Sequence, residues 1–266
     1  MKKLDINLKD VNAVYDGPEG QLWELIMGEQ IHVGGWQSSK TLADKAGIKA
    51  DMKVLDLCSA LGAGLRFLVK NYQVKGFGLD GTKTMHEQAQ KRVRDEGLGD
   101  SIELKLGNVM DIPWDKETFD VVWGEDAWCY VEDKAGLITE AARVLKPGGT
   151  IAFTDWIEGP VGIGDDEAER INRFMKFPYV ESLKGYEKIL GDKGFTVKEA
   201  TDLTLEFAEY CHFYIRMLTE QLTYDALRII GDDQEMFAGL GGEMQYMAER
   251  AKEGKFGRGR WIAVKR

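Results

Sequence analysis

Between residues 52 and 155, short apolar runs alternate with amphipathic segments. Lys53-Val54-Leu55-Asp56-Leu57-Cys58 is too short for a helix and ends in small residues, so it predicts a strand. Leu61, Leu65, Leu68 and Val69 recur at helical spacing and predict a helix over 61–72. A second strand is predicted over 74–79, closed by Asp80-Gly81, then a helix over 82–96 that Gly97 stops. Strands follow at 102–107 and 119–124, a helix at 133–145 ended by Lys146-Pro147-Gly148-Gly149, and a fifth strand at 150–154. This alternation predicts parallel βαβ units and a doubly wound α/β sheet. Downstream, the pattern gives a helix at 183–190, a sixth strand at 194–197 and a final strand at 260–264. Residues 204–253 read as mainly helical, with Phe207, Tyr210, Tyr214, Met217 and Leu218 on an amphipathic pattern. The first 45 residues are expected to hold one or two helices, with Pro18 suited to a first helical turn.

Length, charge and cysteine content narrow the picture. The 266 residues show no repeat and no Pro/Ser-rich linker, which favours one continuous domain. Forty-five acidic against 35 basic residues give a net charge of −10, which disfavours a broad grip on nucleic acid or anionic lipid. No run of 18 apolar residues exists, so no membrane span is expected. The start Met1-Lys2-Lys3-Leu4-Asp5 lacks an apolar stretch, so a signal peptide is not expected and the cytoplasm is the expected setting. Cys58, Cys129 and Cys211 have neither a disulfide-framework count nor a C-x-x-C spacing, so no metal is expected. Three converging thiolates would suit trivalent arsenic, although a lone cysteine is usually a small buried hydrophobe.

Candidate chemistry begins at Val54-Leu55-Asp56-Leu57-Cys58-Ser59-Ala60-Leu61-Gly62-Ala63-Gly64, where a strand meets a helix through a turn of small residues. In an open α/β sheet a ligand approaches the backbone at such a turn, and the helix N-terminus offers N–H groups to an anion. The same turn without a ligand is simply a tight connection. Asp80, 24 residues beyond Asp56, suits a ribose diol or the cap of the following helix. Cys58, Ala60 and Gly62 do not fit G-x-G-x-x-G, which disfavours a dinucleotide. Gly107-Asn108-Val109-Met110-Asp111-Ile112-Pro113, Phe119-Asp120-Val121-Val122-Trp123 and Arg143-Val144-Leu145-Lys146-Pro147-Gly148-Gly149 follow.

In this order and spacing, the five landmarks resemble those of the class I S-adenosylmethionine-dependent methyltransferases. Cys58 and Ala60 stand where that family's turn has its first two glycines. The resemblance implies a Rossmann-like seven-stranded sheet, mostly parallel with the last strand antiparallel, flanked by helices. It implies an N-terminal helical cap over 1–45 and a methyltransferase domain over 46–266, with lid insertions near 157–182 and 204–256. S-adenosylmethionine is the implied cofactor. Asp56, Cys58, Ala60 and Gly62 would hold its methionine part, Asp80 the ribose hydroxyls, and Gly81 and Thr82 would sit beside them. Asn108 would meet the adenine amino group and the Val109 N–H a ring nitrogen. Gly124 and Glu125 would close over the sulfonium end, and His32 would bind the cofactor carboxylate or accept a proton.

The acceptor is set outside those landmarks. Gln30-Ile31-His32-Val33-Gly34-Gly35-Trp36, with Phe153-Thr154-Asp155-Trp156 and the tail from 254 to 265, resembles the sarcosine and dimethylglycine methyltransferase group. That group sits in a wider set with tocopherol, sterol, phosphoethanolamine and cyclopropane-fatty-acid enzymes. It implies methylation of the amine nitrogen of a small amino acid or amine, with a small-molecule acceptor as the partner of a monomer or homodimer. Such a transfer needs N, CH₃ and S held in line more than it needs acid–base help. Aromatic faces suit a cationic donor or product. Tyr15, Trp36, Trp128, Tyr130, Trp156, Tyr210 and Tyr214 are the candidate faces, although rings at helical spacing also build cores. His32, Trp128 and Tyr130 are the catalytic candidates. Two other readings stay open: a C- or O-methyltransferase of a larger hydrophobic acceptor, and a methyltransferase-like binding protein without catalysis.

Overall fold

Residues 3–266 are described by a computed structural model; the Met1-Lys2 part of the leader reading lies outside the described residues. Three helices, not one or two, precede the first strand: α1 (Leu8–Tyr15), α2 (Pro18–Met27) and α3 (Gly35–Ala46). Asn7 caps α1, accepting from the Lys9 N–H while Asp10 accepts from the Asn7 N–H. Pro18 opens α2 after an extended Gly17. Left-handed glycines at 28 and 34 (φ 77° and 84°) then separate α2 from α3, which opens on Gly35 (φ 50°).

The alternating region folds as β1 (Lys53–Leu57), α4 (Ala63–Tyr72), β2 (Lys75–Asp80), α5 (Lys83–Asp95), β3 (Ile102–Leu106) and β4 (Phe119–Glu125). A 3-10 turn over Trp128–Tyr130 leads to α6 (Lys134–Val144) and β5 (Leu145–Glu158). Then come α7 (Asp165–Met175), β6 (Glu181–Ser182), α8 (Leu183–Asp192) and β7 (Phe195–Asp202). The chain closes with α9 (Thr204–Arg216), a π turn over Met217–Gln221, α10 (Thr223–Ile229), α11 (Gln234–Lys252) and β8 (Phe256–Lys265).

The strand order is β3-β2-β1-β4-β5-β8-β7, with β6 attached to β5. Among the described residues only β8 runs antiparallel, lying between β5 and β7. The eighth strand, absent from the expected seven, is the two-residue β6, which pairs with Ile157 and Glu158. The fifth and last strands run longer than expected because pairing continues from Thr150↔Val264 to Glu158↔Phe256. Strand order reverses between β1 and β4, which opens a crevice at their C-terminal ends.

Alternate residues feed two cores, one on each face of the sheet. Leu55, Leu57, Val122 and Phe153 pack on one side; Val54, Val121, Trp123 and Ala152 pack on the other with Leu65 and Leu68. A third core joins α1 and α2 to the late helices through Trp23, Trp156, Phe177, Phe207 and Phe256. No helix among the described residues is long and apolar enough to cross a membrane.

Candidate active site

The turn after β1 is built from left-handed backbone. Cys58, Ala60 and Gly62 have φ of 64°, 43° and 66°. These are the positions where glycine was expected, and two of them carry side chains into a conformation glycine adopts without cost. The twist aims the Ala60 N–H at Asp80 Oδ2 (2.8 Å), while Thr82 N–H donates to Oδ1 (2.7 Å). Asp80 is 7% exposed, and burial pushes its carboxyl up despite those two bonds. Each oxygen keeps acceptor capacity toward the crevice.

That crevice is a cavity of about 330 Å³, lined by Cys58, Ala60, Asp80, Gly81, Thr82, Asn108 and Val109 among others. Helix α1 covers it through Leu8, Val11 and Tyr15. A side chain at Gly81 would meet Leu8 at 3.0 Å, so glycine lets the helix approach. Asn12 and Thr82 are hydrogen-bonded across the same contact (2.8 Å). Asn108 Oδ1 accepts from the Met110 N–H, folding its loop beside Val109.

A second, polar cavity of about 50 Å³ adjoins the first, lined by His32, Asp56, Glu125, Asp126 and Gln30 among others. Tyr15, Cys58, Ala60, Ala127 and Tyr130 border both cavities. The hydroxyls of Tyr15 and Tyr130 lie 3.1 Å apart there, and burial pushes both phenols up. His32 Nδ1 donates to the Val33 carbonyl (3.2 Å); Nε2 lies 3.1 Å from Ser39 Oγ and 3.4 Å from Glu125 Oε1. Glu125 Oε2 accepts from Trp123 Nε1 and Ser39 Oγ. Asp56 sits beside it, its carboxyl pushed well up by burial and by the charges of Glu125 and Asp80.

Among the described residues, two buried atoms at the polar cavity have no hydrogen-bond partner: Glu125 Oε1, an acceptor with His32 Nε2 as an ion-pair neighbour at 3.4 Å, and Gln30 Nε2, a donor. An amino acid moiety presents the complementary pair, an ammonium and a carboxylate. With Asp80 facing the larger cavity, these residues fit a nucleoside joined to an amino acid. In the sequence Gln30 is one residue of the cap segment 30–36 with nothing to single it out. Its place at the cavity is invisible in sequence because it depends on α2 ending at the left-handed Gly28.

Two cations brace the loop between β4 and α6. Arg258 Nε donates to Asp126 Oδ1 (2.7 Å), and Asp126 Oδ2 accepts from the Val33 N–H. Asp155 accepts from the Cys129 N–H (2.9 Å) and the Tyr186 hydroxyl (2.5 Å). Lys134 Nζ donates to the carbonyls of Cys129, Val131 and Tyr179. Burial pushes Asp155 up to about 6 and Lys134 down to about 8; each charge partly offsets the other's shift.

Several predicted residues line neither cavity. Trp128 is 1% exposed; it stacks on Phe153 and donates Nε1 to the Leu57 carbonyl. Its indole lies against Gly124, where a Cβ would come within 2.4 Å, so both belong to the floor beneath the site. Trp156 packs edge-on against Phe177, Phe207 and Phe256 in the third core. Tyr214 accepts from the Gly34 N–H, and Tyr210 stacks on it, so both secure the turn into α3. Trp36 is 41% exposed and stacks on Phe67 in a separate surface concavity with Arg66 and Lys70. Gly62 caps α4 rather than facing either space. Among the described residues, no three His, Cys, Asp or Glu side chains are grouped to hold a metal ion.

The doubly wound sheet with one antiparallel strand, the left-handed turn after β1 and the acid ending β2 define the Rossmann-like fold of S-adenosylmethionine-dependent methyltransferases. Residues 55–153 match the family described as a methyltransferase domain. The glycine/sarcosine/dimethylglycine N-methyltransferase of Actinopolyspora halophila is 29% identical over 195 residues, covering 69% of this chain and 33% of that protein. Phosphoethanolamine N-methyltransferase 1 of Triticum aestivum is 29% identical over 186 residues, covering 70% and 36%. The chain thus spans about a third of the length of these two relatives. A crystal structure from Galdieria sulphuraria, provisionally named a sarcosine dimethylglycine methyltransferase, has the same fold: TM-score 0.85 at 21% identity, covering 95% of this chain and 98% of that one.

Proposed function

We propose that the chain transfers the methyl group of S-adenosylmethionine to the nitrogen of a small amine or amino acid. The observation that carries this reading is the junction of a nucleoside-sized cavity with a small polar one at Tyr15 and Tyr130. The names of the two relatives support the nitrogen as acceptor atom.

S-adenosylmethionine supplies a methyl group made electrophilic by its sulfonium. Asp80 would hold the ribose diol and Asn108 the adenine edge. Glu125, Gln30 and the first N–H groups of α4 would hold the amino and carboxylate groups. With their pKa values pushed up, Tyr15 and Tyr130 stay phenols at neutral pH. They act as hydrogen-bond donors and aromatic walls that orient the acceptor nitrogen and exclude water. Holding the reacting atoms in line lowers the barrier without a strong base.

Calorimetry with S-adenosylhomocysteine, followed by mass spectrometry of amines, phenols and carbon acids incubated with S-adenosylmethionine, tests the proposal. Binding and methylation of amines are expected. Asp80→Asn should weaken binding by about 10–100-fold, as loss of a charged hydrogen-bond acceptor does. No binding at millimolar ligand, or methylation of phenols or carbons alone, would overturn it.

A further inference from the structure

Residues 28–34 join α2 to α3 outside any helix or strand. Their backbone is left-handed at Gly28, Ile31 and Gly34, and at Ile31 (φ 49°) a β-branched side chain makes that conformation costly. Such a segment keeps its shape through ties to its surroundings. The Val33 N–H donates to Asp126 Oδ2 (2.8 Å), and the Gly34 N–H donates to the Tyr214 hydroxyl (3.2 Å). Of these two the Val33 bond is the stronger kind, because its acceptor is a carboxylate. It also lies beside the residues that matter most: Gln30, Ile31 and His32 line the polar cavity. None of residues 28–34 lines the larger cavity.

Asp126 is itself in need of support. Its side chain is 1% exposed and its backbone is left-handed (φ 55°). Arg258, equally buried, donates from Nε to Asp126 Oδ1 (2.7 Å). Its Nη2 reaches Ser38 Oγ on α3 and Thr154 Oγ1 on β5, both at 2.9 Å. The planar guanidinium is therefore fixed by three separate parts of the chain, and it fixes the carboxylate in turn. Without it, Asp126 would be a buried carboxylate lacking a counter-ion and free to turn from the Val33 N–H. Arg258 borders neither cavity.

Resting on the placement above of the cofactor's amino acid part in the polar cavity, we propose that Arg258 is a positioning residue for S-adenosylmethionine. Acting through Asp126 and the Val33 N–H, it holds Gln30 and His32 against the amino acid part of the cofactor. It has no share in holding the nucleoside, whose cavity the segment 28–34 does not touch. The two ends of one ligand thus depend on different parts of the fold, and only one of them depends on β8.

A pair of probes separates the two ends. 5′-Methylthioadenosine has the adenine, ribose and thioether of S-adenosylhomocysteine and lacks the amino acid part. Calorimetry gives the ratio of the two affinities for the parent chain and for Arg258→Lys, which keeps the charge and loses the fork. The parent should prefer S-adenosylhomocysteine. In Arg258→Lys that preference should fall about tenfold, while methylthioadenosine binds within about twofold of the parent value. An arginine that served only the packing of β8 would weaken both ligands alike or neither. Ser38→Ala removes a single hydroxyl at a half-buried position, and should lower the same preference about threefold. It carries the test if Arg258→Lys does not fold. Equal losses for the two ligands, or an unchanged preference, in a folded variant would overturn the inference. A parent chain that binds methylthioadenosine as tightly as S-adenosylhomocysteine, or that binds neither, would overturn the placement of the cofactor, and the inference with it.

Discussion

A left-handed backbone at a residue with a Cβ is costly, and the turn after β1 holds two, Cys58 and Ala60. The twist is retained because it presents the Ala60 N–H to Asp80 and lets the turn border both cavities. Ala60→Gly should therefore raise the unfolding free energy by about 1 kcal/mol. A urea titration reads this directly; an unchanged or lower midpoint would mean the native φ at 60 carries no strain. Asp80 and the turn were legible in the sequence because a strand, small residues and a distant acid form a local, ordered pattern. The aromatics were not. Periodicity says which face a ring is on but not what covers that face, so Trp128 under Gly124, Trp156 in the third core and surface Trp36 looked alike as candidates.

At the scale of elements, β5 and the turn over Trp128–Tyr130 form one unit, because Asp155 and Lys134 hold that turn's backbone from both sides. Both ions are buried, and each shapes stability with its own sign. An acid whose folded pKa is raised binds its proton more tightly in the native chain. Asp155 thus contributes most below its unfolded value of about 4, and that contribution is lost as pH rises toward about 6. Lys134 is held down to about 8, so burial of its charge costs stability that returns as pH climbs from there toward about 10.4. Asp155→Asn should flatten the fall in urea midpoint between pH 4 and 6. A slope as steep as in the parent chain would assign that fall to Asp56 and Asp80, which are raised as well. The βα order of this region was readable from alternating apolar runs. The three-helix start was not, since its breaks at Gly17, Gly28 and Gly34 fall in sequence without a strong period. Nor was β6, whose two residues have no pattern of their own.

Across the whole molecule, a chain of ion pairs clasps α2 to α4 and α5. Glu24 and Glu29, from α2 and just beyond it, reach Arg92 on α5 and Arg66 on α4; Arg66 also pairs with Glu96, which pairs in turn with Lys70. Helix α1 covers the larger cavity and packs against α2, so loosening the clasp on α2 is expected to ease ligand exchange. Arg92→Gln should speed dissociation of S-adenosylhomocysteine about fivefold, the equivalent of an ion pair worth about 1 kcal/mol. It should also reduce the acceleration that added salt produces in the parent protein. Stopped-flow displacement measures both, and a salt response identical to the parent's would show that the clasp does not govern exchange. The position of β8 has its own consequence. Inserted between β5 and β7, it brings Arg258 to Asp126 from 132 positions further along the chain. On the ribosome, the parallel strands emerge and can begin to fold long before that arginine leaves the exit tunnel. Until then Asp126 lacks its counter-ion and the loop of Tyr130 lacks its anchor. The nascent chain can thus acquire its parallel strands well before Asp126 and the turn beside it gain the partner that β8 carries.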